Sequence, residues 1–391
     1  MAYAVLKQGR EGRARARHPW VYEGEIDVVA GDPKPGDIVD VVDHRKRFLG
    51  RGFINPVSSI TVRILTWIEE EEVNEEFFYR RLTEAREYRK VVAAGASCYR
   101  VVFSDGDFLS SLIVDRYDDV CAVQTAAFGT DVRKTMIVGM LADILGVSKI
   151  YERNDVRSRE LEGLPLQSGF MMGQFPTAFW AEENGFSFWV DVERGQKTGL
   201  FLDQRENHKA IAPWCEGARV LDAFCYTGGF AIHAAGYGAR QVLAIDSSGA
   251  ALEIARLTAD KNGLGDRISF REGNAFDVLR ELEARRERFD LVIIDPPAFA
   301  PSKRTIEAAY RGYKEVNLRA MKLLAPGGVL VTCSCSYHMR PEVFLQMIAD
   351  AAADAGRSAR LVELRSQARD HPILLGVDET HYLKCAVLRM S

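Results

Sequence analysis

Two residues with reactive side chains stand at the ends of apolar runs in the last third of the chain. Cys335 follows the run in GGVLVTCSCSYH, and Asp295 closes the run in FDLVIIDPPAF. Short apolar runs of this kind are typical of buried parallel strands, and the carboxyl ends of such strands meet at one edge of a sheet. Because proline cannot donate to a sheet ladder, Pro296 ends its strand and leaves Asp295 at that edge. The pattern predicts a thiol beside a carboxyl group.

A thiolate and an acid placed together suit one reaction of a pyrimidine base. Carbon 5 of cytosine is a poor nucleophile, but a thiolate that adds to carbon 6 turns it into an enamine that attacks an activated methyl group. We expect Asp295 to stabilise this adduct near N3, and Phe299 to stack on the extruded base. A DPP motif followed by an aromatic residue also occurs in enzymes that methylate exocyclic amines without a cysteine, so both reactions stay open.

The second thiol of the C-x-C pair, Cys333, is interpreted as a packed core residue. It shares a strand face with Cys335, yet a thiol inside an apolar run most often packs as a small hydrophobe. A metal site needs more ligands than this spacing offers, and His338 alone does not supply them. His208 and His233 also follow no ligand pattern, which favours structural roles.

A second set of residues predicts a nucleoside cofactor. The run in VLDAFCYTGGFAIHAA ends at Asp222, and a loop with Thr227 and Gly228 leads into a helix. Neither the G-x-G-x-x-G fingerprint nor the G-x-x-x-x-G-K-[ST] phosphate loop is present. The next strand ends at Asp246 and Ser247, and a carboxylate there can accept hydrogen bonds from both hydroxyls of a ribose. Its alternative role is a helix N-cap or a turn acid.

A ribose acceptor without a phosphate-binding device favours S-adenosylmethionine, which carries a ribose and no phosphate. Asn274 in REGNAFDVL stands where adenine contacts usually arise in this arrangement. A sulfonium cofactor also supplies the activated methyl group that the reaction of Cys335 requires. The two sets of residues therefore predict one methyl-transfer site.

The elements around these residues predict an α/β fold in three domains. Residues 1–72 form a small β-rich domain, 73–183 a middle α+β domain that begins with a connecting helix, and 184–391 a doubly wound parallel sheet. Period-two alternation around a glycine-containing turn predicts an N-terminal β-hairpin in the last domain, with Phe186–Val192 paired to Leu200–Asp203.

The composition is that of an ordinary globular protein, with 391 residues, 47% hydrophobic, 27% charged and a net charge of −4. The sequence contains no apolar segment long enough for a membrane span, and its seven scattered cysteines disfavour a secreted disulfide framework. We therefore expect a cytoplasmic protein without a membrane partner. The basic stretch KQGREGRARAR, which includes Arg13, Arg15 and Arg17, suits contact with RNA phosphates, or else is a solvated terminus.

The chain resembles the ribosomal RNA large subunit methyltransferase I family, S-adenosylmethionine-dependent RNA cytosine-C5 methyltransferases with an N-terminal RNA-binding PUA domain. The likeness covers nearly the whole chain. Its carriers are RHPWVYEGEI, KTGLFLDQREN, DAFCYTGGF, DPPAFAPSK, SCS and the late DHP…YLK. Several such motifs in one order are more specific than any one of them. The resemblance implies a PUA-like first domain and a class I methyltransferase sheet in the last.

The resemblance also implies roles for particular residues. Cys335, as the cysteine of SCS, is the implied nucleophile rather than Cys333, and Gln204 and Arg205 of FLDQR are implied to lie near the cofactor. Lys303 of DPPAFAPSK joins Phe299 among the residues expected to bind substrate.

The implied partner is RNA, either 23S rRNA or a ribosome assembly intermediate, and a homodimer is a further expectation. The chain departs from many RNA cytosine-C5 methyltransferases at Ala298, where those enzymes carry a second cysteine. The group that removes the C5 proton is therefore unassigned. Two alternatives stay open, namely an rRNA guanine or adenine methyltransferase without covalent catalysis, and a non-catalytic RNA-binding assembly factor.

Overall fold

The computed structural model describes residues 2–299 and 306–391. The chain divides into two compact units. The first contains Met1–Ala181, Val190–Leu202 and Arg369–Thr380, and the second contains Glu182–Trp189, Asp203–Ala368 and His381–Ser391.

The first unit begins with a six-stranded sheet in the order β2-β6-β5-β4-β1-β3. Only the β1–β4 pair among these strands is parallel. Alternating side chains of β1 and nearly all side chains of β5 are buried, and the module has its own apolar core. The predicted β-rich N-terminal domain is confirmed. Its elements are β1 (Tyr3–Leu6), α1 (Gly12–Arg15), β2 (Trp20–Val21), β3 (Ile26–Ala30), β4 (Ile38–Val42), β5 (Phe48–Ile54) and β6 (Val62–Thr66).

A second, five-stranded sheet of the first unit runs in the order β11-β10-β9-β8-β7. The expected connecting helix is present as α2 (Glu75–Val92), which begins with an Asn74 side-chain cap and carries Glu75 in its first turn and Lys90 in its last, in accord with the helix dipole. The other elements are β7 (Cys98–Phe103), β8 (Leu112–Tyr117), β9 (Val120–Thr125), α3 (Phe128–Asp131), α4 (Lys134–Leu145), β10 (Lys149–Asn154) and β11 (Gln167–Met172).

The predicted hairpin is wrong in its pairing. The strand β13 (Phe186–Asp191) pairs with the preceding strand β12 (Ala178–Glu183), and Leu202–Gln204 forms a short 3-10 helix instead of a strand. The two-residue turn between β12 and β13 is Asn184-Gly185, with φ values of 53° and 88°. Asn-Gly is the preferred pair for a turn that needs positive φ at both central positions, so local turn chemistry selects this pairing.

The second unit contains a seven-stranded sheet in the order β16-β15-β14-β17-β18-β20-β19, which confirms the doubly wound α/β fold. The first five strands are parallel, and β20 is antiparallel to both of its neighbours. The elements are α5 (Arg205–Ala210), β14 (Arg219–Ala223), α6 (Gly229–Gly236), β15 (Gln241–Asp246), α7 (Gly249–Lys261), β16 (Ile268–Glu272), α8 (Ala275–Ala284), β17 (Phe289–Ile294), α9 (Ile306–Leu323), β18 (Leu324–Ser334), α10 (Pro341–Asp354), β19 (Ala359–Arg365) and β20 (Lys384–Met390).

The central strands β14, β17 and β18 are buried almost throughout, as their continuous apolar runs require. Leu221, Val292 and Leu330 are fully buried in the core of this unit. No helix in the described part of the chain has the length and apolar character that a membrane crossing needs.

Two glycines test the conformational argument for the hairpin turn. Gly185→Ala should destabilise the protein by about 1 kcal/mol, because alanine disfavours positive φ, although a Cβ there meets no other atom. The matched control is Gly139→Ala in the exposed interior of α4, which should stabilise by about 1 kcal/mol through helix propensity. Urea unfolding midpoints measure both, and equal shifts in the same direction would contradict the assignment of the turn.

Candidate active site

Three neighbouring parallel strands bring the main candidate residues to one edge of the sheet. Asp222 lies near the carboxyl end of β14, Asp295 follows the last residue of β17, and Cys335 follows the last residue of β18. Their register is continuous, with Asp222 opposite Ile293 and Ile294 opposite Thr332. The structure therefore brings these three residues to the edge where open α/β sheets bind ligands.

The loop between β14 and α6 has an unusual backbone. Phe224, Tyr226 and Gly228 all have positive φ, at 68°, 48° and 87°. The left-handed region is strained for residues with a side chain, and such strain concentrates at functional sites. The loop is tied to the end of β15, because the Tyr226 amide donates to Asp246 Oδ2 at 2.8 Å. Thr227 is buried within it.

Asp246 combines a turn role with spare hydrogen-bonding capacity. Its Oδ1 accepts from the Ser248 amide at 2.9 Å, and its Oδ2 accepts from Tyr226. The N-cap of α7 is Ser248, whose Oγ accepts from the Ala251 amide, so Asp246 does not fill that role. Each carboxylate oxygen has two acceptor positions, which leaves room for ribose hydroxyls beside the exposed Ser247.

Asn274 is the N-cap of α8, where its Oδ1 accepts from the Phe276 amide at 2.9 Å. The residue is exposed. Its adenine contact stays a prediction, and the observed cap explains its side-chain type without a ligand.

Asp222 is a buried carboxyl group without a donor at normal distance. It is fully buried, and neither of its oxygens has a hydrogen-bond partner among the described residues. Burial raises its pKa well above the usual range, the negative charge of Asp295 adds to the rise, and the backbone amide of Ala231 opposes it only in part. Buried polar atoms are normally satisfied, so this group fits a site whose donor comes from a bound molecule.

Asp295 is held in place by a chain of side-chain hydrogen bonds. Gln204 Nε2 donates to Asp295 Oδ2 at 2.9 Å, and Gln204 Oε1 accepts from Asn207 Nδ2 at 2.7 Å. Asn207 Oδ1 accepts in turn from Arg365 Nε at 3.0 Å. Gln204 thus orients one catalytic candidate. Arg205, which follows it, is buried.

Asn207 and Arg365 were not identified from the sequence. Asn207 lies in the FLDQREN stretch, one helical turn from Gln204, which is a local signal. Arg365 comes from a distant strand and has none.

The two thiols of the C-x-C pair differ in exposure. Cys335 is partly exposed, and its Sγ lies 4.0 Å from the carbonyl oxygen of Pro296 in the loop that carries Asp295. Cys333 is fully buried and lies opposite Cys385 on β20. Burial, followed by the nearby Cys385, raises the pKa of Cys333 well above that of an ordinary thiol. All seven cysteines are described, none forms a disulfide, and Cys335 is the one that is not buried.

The substrate-binding candidates are spread over both units. In the second, Phe299 packs on Tyr313 and Phe276, at ring-centroid distances of 4.7 and 5.9 Å, so its stacking on a base stays a prediction. Lys303 lies outside the described residues.

The three arginines of the basic stretch belong to the first unit. Arg13 contacts His18 and the face of Tyr22, and Arg15 pairs with the buried Asp43 at 3.0 Å. Arg17 is exposed. Two of the three therefore also bind groups of their own module.

A buried cluster of Glu183, His208 and His233 lies against the start of α6. His208 Nδ1 lies 2.7 Å from Glu183 Oε1, and His233 Nδ1 lies 2.7 Å from the carbonyl oxygen of Gly229. The spacing of the three side chains would admit a metal ion. Their hydrogen bonds account for the cluster without one, and the structural roles expected for both histidines stay a prediction. Of these contacts, only the one between Gly229 and His233 joins residues close in the sequence, four positions apart on one helix.

The comparisons with known proteins agree with this geometry. Residues 4–67 match a PUA-like domain family, and residues 167–389 match the S-adenosylmethionine-dependent methyltransferase family. The chain is similar to "Ribosomal RNA large subunit methyltransferase I" from Shewanella amazonensis, with 42% identity over 98% of each chain. A protein of the same name from Tolumonas auensis is 40% identical, again over 98% of each chain.

Two solved structures share the fold over 100% of each chain at 20% identity. One is described as an S-adenosylmethionine-dependent methyltransferase from Streptococcus mutans, with a TM-score of 0.84. The other is a methyltransferase complexed with S-adenosylhomocysteine, with a TM-score of 0.85. The match of residues 167–389 to the S-adenosylmethionine-dependent methyltransferase family shows that S-adenosylmethionine is the cofactor. The buried Asp222, without a hydrogen-bond partner among the described residues, and the strained loop fit its binding.

Gly229 at the start of α6 tests the role of the histidine cluster. A Cβ at this position would lie 2.8 Å from both Cε1 and Nε2 of His208, whose ring is held by Glu183 and packs edge-on against Phe230. We expect Gly229→Ala to weaken S-adenosylmethionine binding at least about tenfold, because the loop must shift. Calorimetric titration measures the affinity, with Gly139→Ala as a remote control. Unchanged affinity would show that the loop tolerates the shift.

The cluster also predicts acid sensitivity. Burial, together with the nearby His208, lowers the pKa of His233 to about 4. The unfolded chain takes up this proton near pH 6.5, so the stability that His233 contributes is full above pH 6.5 and is lost as the pH falls towards 4. At pH 5 the loss is about 2 kcal/mol. Glutamine at position 233 cannot titrate. Between pH 7.5 and 5 the free energy of unfolding of His233→Gln, measured with urea, should therefore fall by about 2 kcal/mol less than that of the wild type. Parallel losses in the two proteins would contradict the assignment.

Proposed function

The chain belongs to the ribosomal RNA large subunit methyltransferase I family, and on that premise we propose that it forms 5-methylcytosine in 23S rRNA with Cys335 as the nucleophile. The observation that carries the proposal is the exposure and position of this thiol. Cys335 is the cysteine that is not buried, and its Sγ faces the Pro296 carbonyl of the loop that carries Asp295. An exocyclic amine methyltransferase has no use for a thiol there.

The proposed reaction begins with the thiolate of Cys335. Its lone pair forms a bond to C6 of cytosine, and the C5–C6 π electrons move into the ring, where a protonated Asp295 supports the charge at N3 with a hydrogen bond. Gln204 holds Asp295 in orientation through Oδ2. When bound, S-adenosylmethionine would supply an electrophilic methyl group: the enamine electron pair at C5 forms the new carbon–carbon bond, and the pair of the broken methyl–sulfur bond stays on sulfur as S-adenosylhomocysteine leaves.

Release of the product reverses the addition. A base removes the C5 proton, the C–H electrons restore the C5–C6 double bond, and the S–C6 pair returns to sulfur. Ala298 stands where many RNA cytosine-C5 methyltransferases have a second cysteine, so the proton acceptor is water or another group. Asp295 is not assigned as the proton acceptor, because in this scheme it forms the hydrogen bond to N3.

The cofactor roles follow the geometry of the loop and its neighbours. We propose that Asp246 and Ser247 bind the ribose, that Asp222 and the Thr227-Gly228 loop bind the methionine part, and that Asn274 lies at the adenine. Gln204 and Arg205 complete the site from α5 and the turn before it. The buried, unsatisfied Asp222 supports this division, because the cofactor carries an ammonium donor.

RNA recognition is assigned to both ends of the chain. The PUA-like domain, with Arg13, Arg15 and Arg17, would contact the phosphate backbone, and Phe299 and Lys303 would contact the flipped cytosine. The substrate is 23S rRNA, free or in an assembly intermediate, in the cytoplasm. A homodimer and the domain limits 1–72, 73–183 and 184–391 stay part of this proposal.

The matched pair Cys335→Ala and Cys333→Ala tests the nucleophile. Loss of Cys335 should lower methyl transfer to rRNA at least about 1,000-fold while cofactor binding is retained, because the addition step has no substitute. Cys333→Ala should keep most of the activity, because this thiol only fills the core. Scintillation counting of transferred methyl groups measures both, and robust turnover by Cys335→Ala would refute the mechanism.

RNA that contains 5-fluorocytosine separates the two enzyme hypotheses. Product release requires a base to remove a proton from C5, and 5-fluorocytosine carries fluorine in its place. The adduct should therefore accumulate as a covalent protein–RNA complex in the wild type and not in Cys335→Ala. Mass spectrometry of the product nucleoside gives the methylated base. A methylated guanine or adenine without any adduct would favour the exocyclic amine reaction.

A further inference from the structure

Lys384, the first residue of β20, is a buried cation that no role above explains. Its side chain is 2% exposed, and it ranks among the largest fully buried side chains of the described chain. Its Nζ donates to the carbonyl oxygens of Ser336 at 2.7 Å and Tyr382 at 2.8 Å. Among the described residues it forms no ion pair with a carboxylate. A buried charge without a counter-charge is costly, so its presence calls for a partner.

The register of the β18–β20 ladder and the hydrogen bonds of Lys384 bring it close to Cys335 in the fold. Lys384 lies opposite Ser334 in the β18–β20 ladder, and one of its two carbonyl acceptors belongs to Ser336. Cys335 stands between these two residues in the chain. An ammonium has three donors, and carbonyl oxygens take two of them. Burial lowers the pKa of Lys384 to about 8, and the charge of Cys335 acts against this fall.

Other titratable residues of the described chain on the elements around Cys335 include Asp295, Tyr313, Tyr382 and His338, and none of these four is a buried ammonium. Asp295 from the end of β17 is an acid and supplies no positive charge. From α9, the Tyr313 hydroxyl shares a hydrogen bond with Ser336 Oγ at 2.9 Å. Tyr382 before β20 donates its hydroxyl to Asp203, and His338 in the turn after Cys335 packs on Tyr337. Lys384 is therefore a buried cation on the strand next to the one that Cys335 follows.

We propose that Lys384 is a positioning residue whose buried ammonium holds Cys335 as a thiolate, ready to add to the pyrimidine ring. The inference rests on the proposed function, and it explains how a thiol beside an aspartate becomes a nucleophile. The thiol proton goes to solvent, and Lys384 keeps its own proton. The sulfur lone pair then forms the S–C6 bond, and the same pair returns to sulfur, opposite the same ammonium, when the product leaves.

The test uses the thiol itself, so that it needs neither RNA nor turnover. Iodoacetamide should alkylate Cys335 selectively in the full-length protein, because the other six cysteines are buried and burial raises the pKa of Cys121 and Cys215 to about 12. Cys335→Ser gives the background. The wild-type rate should follow an apparent pKa at least about one unit below the ordinary thiol value of about 8.5.

Lys384→Met keeps the length of the side chain and removes its charge. In this variant the apparent pKa of alkylation should rise by at least one unit, and the rate at pH 7 should fall about tenfold. Lys322→Met on α9, where the lysine pairs with Glu283, is the matched control and should leave the profile unchanged. S-adenosylmethionine binding verifies that each variant is folded.

Two results would overturn the inference. One is a wild-type protein in which the pKa of the Cys335 thiol is ordinary or raised. This result refutes the role of Lys384 even if Lys384→Met does not fold. The other is a folded Lys384→Met variant with the wild-type profile. Failure of the proposed function looks different, since Cys335→Ala would then still transfer methyl groups while the alkylation profile depends on Lys384 as described. If both proposals hold, the pH dependence of kcat shifts with that of alkylation.

Discussion

The parallel alignment of β14, β17 and β18 is the constraint on which the site depends. Strands that run in one direction end on one side of the sheet, so residues far apart in the sequence share an edge once their register is set. The register brings Asp222, Asp295 and Cys335 to one edge of the sheet. A shift of the register by one residue would turn each side chain of the shifted strand to the opposite face and separate the residues of the site.

Charge balance at this edge is the second organising feature. Asp222, Asp246 and Asp295 put three carboxyl groups near one another, and burial with mutual repulsion raises the pKa of Asp222. A cationic cofactor is well matched to such an edge, and so is a buried lysine on the adjacent antiparallel strand. The hydrogen-bond chain from Gln204 to Arg365 then fixes Asp295 within this crowded group of acids.

The sequence alone predicted the features that depend on local pattern. Apolar runs that end at Asp222, Asp246 and Asp295 gave the parallel strands and their edge, and the structure has them. The predicted hairpin is wrong because Asn184-Gly185, whose two residues both accept positive φ, closes the turn on the other side of β13. The role of Lys384, which lies in the YLK motif, and the partners of His208 were not predicted, for another reason. They meet only after the chain has folded, and no periodicity marks a lysine that begins a buried strand.

The burial of six of the seven cysteines has a consequence for the life of the protein in the cell. Oxidation of a thiol follows its exposure and thiolate character, and its first product is a sulfenic acid that other thiols can reduce again. An oxidant in solution would therefore attack Cys335 before any other cysteine of the chain. Oxidative damage to this protein would begin as a reversible loss of the thiol that we propose as the nucleophile, with the core and the cofactor loop left intact.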